Sequence, residues 1–276
     1  MYLEFYGLKE NPFNVTSDPN FLFLSHVHKE ALDHLIYGIE ERKGFIEITG
    51  EIGAGKTTIC RVLLNRLREN NTRTSVIFNS SLPEMQLLEA ILIDFGITLK
   101  RRNKGLIFQQ LNEFLLGQLA EGRNVVLIID EAQNLRNSTL ETIRMLSNLE
   151  TEKEKLIQIV LVGQPQLREK LNAPSLLQLK QRLSVRFHLY PLNEPDVRNY
   201  IDHRLKVAGS SGDITFEEDA CKLIASYSGG VPRVINILCD KLLLLGFARG
   251  VNYIGEDLVR QSIEELEGNY NYAIAR

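Results

Sequence analysis

The amino-acid sequence predicts an α/β protein built on a parallel sheet, followed by a small all-helical module. Strand-length apolar runs alternate with segments of helical periodicity over residues 45–190, which is the pattern of strand–helix–strand units. Two of these runs, 125–129 and 157–162, are almost continuously apolar, as expected for strands covered on both faces. A glycine-rich segment, 50–58, separates a predicted strand from a predicted helix.

The composition describes a globular protein with no strong charge bias. Its 276 residues are 44% hydrophobic and 24% charged, enough for one large domain or two modest ones. The net charge of −3 argues against a strongly basic nucleic-acid binder but leaves a local basic patch open. The three cysteines are far apart and lack metal-site spacing, so we expect free thiols in a reducing compartment.

No targeting pattern is visible. The N-terminus lacks a basic region followed by an apolar run, and no apolar run reaches the roughly 20 residues that span a bilayer. We therefore expect a soluble, cytoplasmic chain.

Residues 1–24, rich in aromatic and turn-forming residues, predict a lead-in segment packed against the body, and residues 28–42 predict a helix.

The segment 50–58 fits the pattern G-x-x-x-x-G-K-[ST] in the context that this pattern requires. Residues 45–49 before it predict a strand, and residues 59–64 after it predict a helix. Glycines let backbone N–H groups surround a phosphate, and the helix N-terminus adds positive potential. We expect Lys56 to neutralise the outer phosphates of a nucleoside triphosphate and Thr57 to hold Mg²⁺. The predicted nucleotide-binding residues are Gly50, Glu51, Ile52, Gly53, Ala54, Gly55, Lys56, Thr57 and Thr58.

A second strand, 73–79, and an amphipathic helix, 84–95, precede a cluster of positive charges at 100–104. Such a cluster is typical of a nucleic-acid or partner contact. A solvated loop is the simpler interpretation, because no aromatic residues are interleaved for base stacking. A helix with an apolar face is predicted at 105–122.

Two adjacent carboxylates follow the apolar strand 125–129. In open α/β sheets ligands bind beyond the carboxyl ends of the strands, where the glycine-rich segment also lies. We expect Asp130 to bind Mg²⁺ and Glu131 to polarise the water that attacks the γ-phosphate. Because an adjacent base favours hydrolysis over transfer, the pair indicates an ATPase.

Three polar residues near later strand ends are further candidates. Gln164 follows the predicted strand 157–162, where it could sense the γ-phosphate or position water, or act only as a turn residue. Arg182 and Arg186 lie around the start of a predicted fifth strand, 184–190. Either arginine could reach across a subunit boundary to a neighbour's nucleotide, or form an ion pair within its own subunit.

The chain changes character at Pro191–Pro195. Four helices follow in the sequence pattern, predicting a small all-helical module, 193–268, and a tail, 269–276, after a first domain of 1–192. Arg233 stands at the start of the third helix, where the helix dipole disfavours a cation. A residue placed against local preference indicates function, so we expect Arg233 to contact the nucleotide phosphates.

Together these features resemble the AAA+ ATPases over nearly the whole chain. More narrowly, the sequence is similar to the ExeA/GspA family of the general secretion pathway, with MshM-like relatives in pilus biogenesis. It is more distantly similar to the TniB/TnsC transposition ATPases. The resemblance is carried by Tyr6–Phe13, Ile129-Asp130-Glu131-Ala132-Gln133-Asn134-Leu135, Gly163-Gln164-Pro165-Gln166-Leu167, Gln181-Arg182-Leu183-Ser184-Val185-Arg186 and Ser228-Gly229-Gly230-Val231-Pro232-Arg233.

The resemblance implies a P-loop fold with sheet order 5-1-4-3-2 and a helical lid, with ATP or ADP and Mg²⁺ between them. It implies Asn79 as a switch that holds Glu131 inactive, and a homo-oligomeric ring or filament with an arginine finger acting in trans. It also implies a secretion or pilus machine as the client, with a membrane or peptidoglycan-binding partner or a further membrane-anchored part of the same protein. The alternative is an ATP-dependent regulator of transposition that binds DNA. Gln164 departs from the Asn or Thr that many AAA+ proteins carry as first sensor, but it suits the narrower family.

Overall fold

The computed structural model describes residues 1–16, 18–78, 80–152 and 154–268. Asn79 and the predicted tail, 269–276, lie outside the described residues. The chain divides into two compact units. We call His28–Glu51 with Lys56–Leu189 the sheet unit, and Met1–Val27 with Ile52–Gly55 and the chain from Tyr190 the helical unit.

A five-stranded parallel sheet organises the sheet unit. Its strands are β1 Phe45–Gly50, β2 Arg73–Ile77, β3 Val125–Ile129, β4 Gln158–Gly163 and β5 Leu183–Leu189. They lie in the order β2-β3-β4-β1-β5, which confirms the predicted order 5-1-4-3-2 read from the other edge. In the central ladders Ile48 pairs with Val162, and Ile128 pairs with Val160. The carboxyl ends of β3, β4 and β1 therefore meet side by side at one edge.

Helices cover both faces of this sheet, so every residue of β1, β3 and β4 is buried. One face packs on α4, α5 and α6 through residues such as Leu127 and Ile107. On α2, a Cβ at Gly38 would lie only 2.6 Å from Cδ1 of Ile46 on β1, so the helix sits close to the strand. The helices of the chain are α1 Tyr2–Phe5, α2 His26–Glu40, α3 Lys56–Glu69, α4 Glu84–Asp94, α5 Lys104–Ala120, α6 Asn137–Leu146, α7 Pro165–Leu171, α8 Leu177–Lys180, α9 Glu194–Val207, α10 Glu218–Ser228, α11 Pro232–Arg249 and α12 Glu256–Leu266, with 3₁₀ turns at Pro19–Phe21, Ala132–Asn134 and Pro174–Leu176.

The lead-in segment packs with the C-terminal helices in the helical unit. Its aromatic residues Tyr6 and Phe13 are buried in the same cluster as Val197 and Leu238. Hydrophobic burial of two large aromatic rings is worth several kcal/mol by area, enough to order a segment that has little regular structure of its own. The sequence groups residues 1–24 with the first domain, whereas the structure groups them with the helices; the boundary at 192/193 stays a prediction.

Buried polar groups fix the path of the lead-in segment. Arg204 on α9 is only 6% exposed, and its guanidinium donates to the backbone oxygens of Pro12 and, at 3.1 Å, Asn14. The same guanidinium lies 4.6 Å from the ring centroid of Phe21. A guanidinium has five N–H donors around its planar edge. It can therefore bind several carbonyl groups of a loop, which have no partners in a helix or a sheet.

The second module is not purely helical, which corrects the prediction of an all-helical lid. A short parallel pair joins β6, Thr215–Phe216, to β7, Tyr253–Ile254. Phe216 and Ile254 are buried on one side, while Thr215 and Tyr253 are exposed. β-Branched and aromatic residues favour this extended geometry, but two residues are too short to produce a visible alternation in the sequence.

Candidate active site

The phosphate loop joins β1, which ends at Gly50, to α3, which begins at Lys56. Gly53 and Gly55 have φ angles of +82° and +95°, in the region that side chains with a Cβ rarely adopt. A Cβ at Gly50 would lie 2.8 Å from the backbone oxygen of Leu189 on β5. Gly53 and Gly55 are thus required by the backbone conformation of the loop, and Gly50 is required by the close approach of β5.

Lys56 is buried within this loop. Its Nζ donates to the backbone oxygens of Gly50 at 2.8 Å and Glu51 at 2.9 Å. Burial lowers the pKa of this lysine, while the charges of Glu131, Asp130 and Glu51 oppose that effect. Lys56 is therefore a buried cation whose charge is favoured by nearby carboxylates.

Asp130 connects the strand end of β3 to the phosphate loop. Its Oδ2 accepts a hydrogen bond of 3.0 Å from the hydroxyl of Thr57, and its Oδ1 accepts one of 2.9 Å from the N–H of Glu131. Burial raises the pKa of this carboxyl, and those hydrogen bonds and Lys56 act against the rise. A hydroxyl and a carboxylate at hydrogen-bond distance are oxygen ligands of the kind that Mg²⁺ takes alongside phosphate oxygens, so the donor set fits that ion.

Glu131 is held by two amide side chains that come from different parts of the sheet edge. Its Oε2 accepts from Nε2 of Gln133 at 2.5 Å and from Nε2 of Gln164 at 3.2 Å. Its φ of +51° is rare for a residue with a side chain, and such conformations persist where the surroundings enforce them, often at active sites. The hydroxyl of Ser80 contributes to this by donating to the backbone oxygen of Glu131 at 2.6 Å.

Gln164, the predicted sensor, lies beside Glu131. It follows β4 directly, and besides its bond to Glu131 its backbone N–H donates to Oε1 of Gln133 at 3.1 Å. Gln133 and Ser80 are not among the site residues predicted from the sequence. Gln133 lies two residues beyond a recognised acidic pair, and this proximity is the signal that could have drawn attention to it.

The two candidate arginine fingers have different partners within the sheet unit. Nη1 of Arg182 donates to Oγ of Ser147 at 2.8 Å and to Oδ1 of Asn148, both neutral groups. Nε of Arg186 lies 3.4 Å from Oε2 of Glu47, a carboxylate that is only 1% exposed in the middle of β1. The ion pair within one subunit is therefore present for Arg186.

Arg233 contacts the middle of the phosphate loop within the helical unit. Its backbone N–H lies 3.4 Å from the oxygen of Gly53, near the limit of a hydrogen bond. A Cβ at Gly53 would lie 2.5 Å from the Cβ of Arg233. The side chain itself is exposed at the start of α11. The predicted arginine therefore begins its helix directly against the loop.

The basic cluster at 100–104 is partly neutralised by α4. Arg102 pairs with Glu89 and Lys104 pairs with Glu84, each at 2.6 Å. Half of its four positive charges are therefore engaged by neighbouring carboxylates, and the cluster provides no additional observation in favour of DNA binding.

Two sequence expectations concern larger features of the chain. Across the described ranges, no helix combines the length and the apolar character needed to cross a membrane. The cysteines are buried free thiols: Cys60 lies on α3, Cys221 on α10 and Cys239 on α11.

Comparison with known proteins agrees with this architecture. The family described as "AAA domain" matches residues 39–171. General secretion pathway protein A of Aeromonas hydrophila is 43% identical over 269 residues, which cover 97% of this chain and 49% of that protein. The chain thus spans about half the length of this curated relative.

Solved structures establish the same fold at lower sequence identity. The CDC6P structure from Pyrobaculum aerophilum superposes with a TM-score of 0.68 at 19% identity, covering 91% of this chain and 71% of that one. The Aeropyrum pernix ORC2 protein in its ADPNP-ADP complexes gives 0.67 at 19% identity, covering 93% and 72%. With its phosphate loop, adjacent acidic pair and five-stranded sheet, the chain has the AAA+ P-loop fold, and it is similar over nearly all of its length to general secretion pathway protein A.

Proposed function

We propose that the chain binds and hydrolyses Mg-ATP at the interface between neighbouring subunits, and that this cycle drives the assembly of a secretion or pilus machine. The observation that supports the chemistry best is the 3.0 Å bond between Thr57 and Asp130, which joins the phosphate loop to the acidic strand end. The support for the client machine is the 43% identity to a protein named for the general secretion pathway.

Each residue has a chemical task in this proposal. The loop N–H groups and Lys56 bind the phosphates, and Thr57 and Asp130 hold Mg²⁺, which neutralises phosphate charge when bound. Glu131 accepts a proton from water as the water oxygen bonds to the γ-phosphorus. The bond between that phosphorus and the bridging oxygen breaks, and its electron pair leaves with ADP. Gln164 orients the water, and Arg233 responds to the phosphates.

Arg182 is the better candidate for the finger that reaches a neighbour's nucleotide. Its present partners are a hydroxyl and an amide, so releasing it leaves no buried charge behind. Releasing Arg186 would leave the buried carboxylate of Glu47 without its ion pair, which is costly. We therefore assign the trans role to Arg182 and a structural role to Arg186.

Phosphate release by the purified chain tests the chemistry. We expect Glu131→Gln to bind ATP with an unchanged Kd but to lower kcat by about 100-fold or more, because the amide cannot accept the proton. Glu141→Gln is the matched control, since Glu141 lies on α6 and pairs with Arg144. Unchanged turnover in Glu131→Gln would contradict the assignment of the base.

A chimera tests the client machine. The matching segment of the Aeromonas hydrophila relative is replaced by this chain, and secretion is measured in a strain that lacks the native protein. We expect secretion to return with the chimera and to stay absent with its Glu131→Gln variant. A chimera that hydrolyses ATP but restores no secretion would show that the chemistry is right and the client is wrong.

A further inference from the structure

Gln133 lies between the two polar residues at the neighbouring strand ends. Its Nε2 donates to Glu131, after β3, and its Oε1 accepts from the backbone N–H of Gln164, after β4. Only one orientation of the amide satisfies both neighbours, because one is a carboxylate acceptor and the other is an N–H donor. Gln133 therefore binds both partners at the same time, with its amide held in one orientation.

The surroundings hold Gln133 in this position from two sides. Nζ of Lys170 on α7 donates to the backbone oxygen of Gln133 and, at 2.8 Å, to that of Leu135. On the other side, a Cβ at Gly163 would lie 2.7 Å from Oε1 of Gln133, so the side chain occupies space that only a glycine leaves open. A side chain fixed at both its backbone and its amide can fix the group that it binds.

The effect on Glu131 is directional. Both amide donors bind Oε2, and within the described residues no side chain donates a hydrogen bond to Oε1, the oxygen to which we assign the water molecule. An amide hydrogen bond to a carboxylate is charge-assisted and stronger than a bond between neutral groups. A general base must lie within hydrogen-bond reach of its proton, so holding the carboxylate in one orientation affects the rate directly.

We propose that Gln133 is a positioning residue for hydrolysis, which orients Glu131 through Oε2 and links it to the strand end that carries Gln164. The inference rests on the proposed function, because it requires Glu131 to be the base. Gln133 itself contacts neither phosphate nor water in this proposal. Its role is separate from that of Asn79, which the resemblance marks as the switch.

Two substitutions separate the two bonds of Gln133. Gln133→Met removes both at nearly constant volume. Gln133→Glu keeps an acceptor for the N–H of Gln164 but turns a carboxylate toward Glu131. We expect both variants to lower kcat about tenfold or more with KM within about twofold of wild type, since orientation acts on the chemical step. Gln109→Met is the matched control, because it removes an amide–carboxylate bond of 2.9 Å to Glu113 on the exposed side of α5.

A wild-type kcat in Gln133→Glu would overturn the inference, because the bond to Gln164 would then be sufficient. A double mutant provides a second readout that does not depend on small changes in folding. In the Glu131→Gln background, Gln133→Met should cause no further loss of the residual phosphate release, and a further tenfold loss would show that Gln133 acts by another route. If the wild-type chain releases no phosphate, the proposed function fails. If Glu131→Gln keeps wild-type turnover, the assignment of the base fails; if only the Gln133 variants keep it, this inference fails alone.

Discussion

Lys56 keeps its ammonium group inside the protein, with its hydrogen bonds directed to two loop carbonyls. A buried cation with nearby carboxylates is costly to maintain for structure alone, because desolvation opposes its charge. A polyphosphate would supply the opposite charge at the same place. At the scale of single residues, the site is thus built around charges that an anionic ligand balances.

Replacing Lys56 by Ala should abolish tight nucleotide binding while leaving the protein folded. The substitution removes the charge that we propose meets the outer phosphates, and it also removes a buried cation whose desolvation is unfavourable. We expect the Kd for a fluorescent ATP analogue to rise about 100-fold or more, with the thermal unfolding temperature of the nucleotide-free protein unchanged or higher. Lys222→Ala is a suitable control on the surface of α10, and tight binding by Lys56→Ala would contradict the site.

At the scale of elements, the phosphate loop depends on backbone conformation as much as on side chains. Gly53 combines a φ of +82° with a Cβ position 2.5 Å from the Cβ of Arg233. Gly53→Ala should lower the free energy of unfolding by about 1–2 kcal/mol, by the usual cost of a left-handed residue with a side chain. Gly117→Ala in the last turn of α5 is the matched control: a Cβ there meets nothing within 4 Å, and the change should stabilise by about 0.5 kcal/mol. Chemical denaturation of both variants measures the two effects, and equal stability would contradict the argument.

The buried carboxylate in the middle of β1 should make stability depend on pH. Burial raises the pKa of Glu47 above its ordinary 4.5, and Arg186 and Arg168 act against the rise. Because the folded protein binds this proton more tightly than the unfolded chain, protonated Glu47 contributes fully to stability at a pH below its ordinary pKa. This contribution is lost as the pH rises through the pKa of the folded protein. The stability of Glu47→Gln relative to wild type should therefore increase by about 1 kcal/mol or more between pH 4.5 and 7.5. Urea unfolding across this range measures it, and a constant difference would show that Glu47 does not titrate there.

The sequence predicts the parts of this protein that follow from local patterns, and it misses those that depend on distant contacts. The buried strands and the positions of Lys56 and Asp130 follow from continuous apolar runs and fixed motif spacing. Gln133 could not be assigned in the same way, because its proposed role depends on a hydrogen bond to Gln164 at the end of the neighbouring strand. The packing of the lead-in segment against the C-terminal helices could not be predicted for the same reason, since Arg204 contacts Pro12 across 192 positions of the chain.

At the scale of the whole molecule, the proposed site is complete only when a second copy supplies Arg182. Within one chain this arginine is engaged by Ser147 and Asn148, which lie on the turn after α6. An interface that draws it away replaces two hydrogen bonds to neutral acceptors by hydrogen bonds to charged phosphate oxygens, which are stronger because both partners are ionised. Turnover per subunit should therefore rise with protein concentration until assembly is complete.

Mixing two inactive variants distinguishes an arginine that acts in trans from one that acts in cis. Arg182→Ala keeps the nucleotide site but lacks the finger, and Lys56→Ala keeps the finger but binds no nucleotide. Each alone should show kcat reduced about 100-fold or more, since a finger is worth a large factor in phosphoryl transfer. When the two are mixed, interfaces form in which Arg182 of the lysine variant faces ATP on the arginine variant, so phosphate release should recover. Arg186→Ala mixed with Lys56→Ala should gain nothing from mixing, because its partner is Glu47 of the same chain. Recovery with the Arg186 variant instead of the Arg182 variant would reverse the assignment, and recovery with neither would show that the subunits complete no shared site.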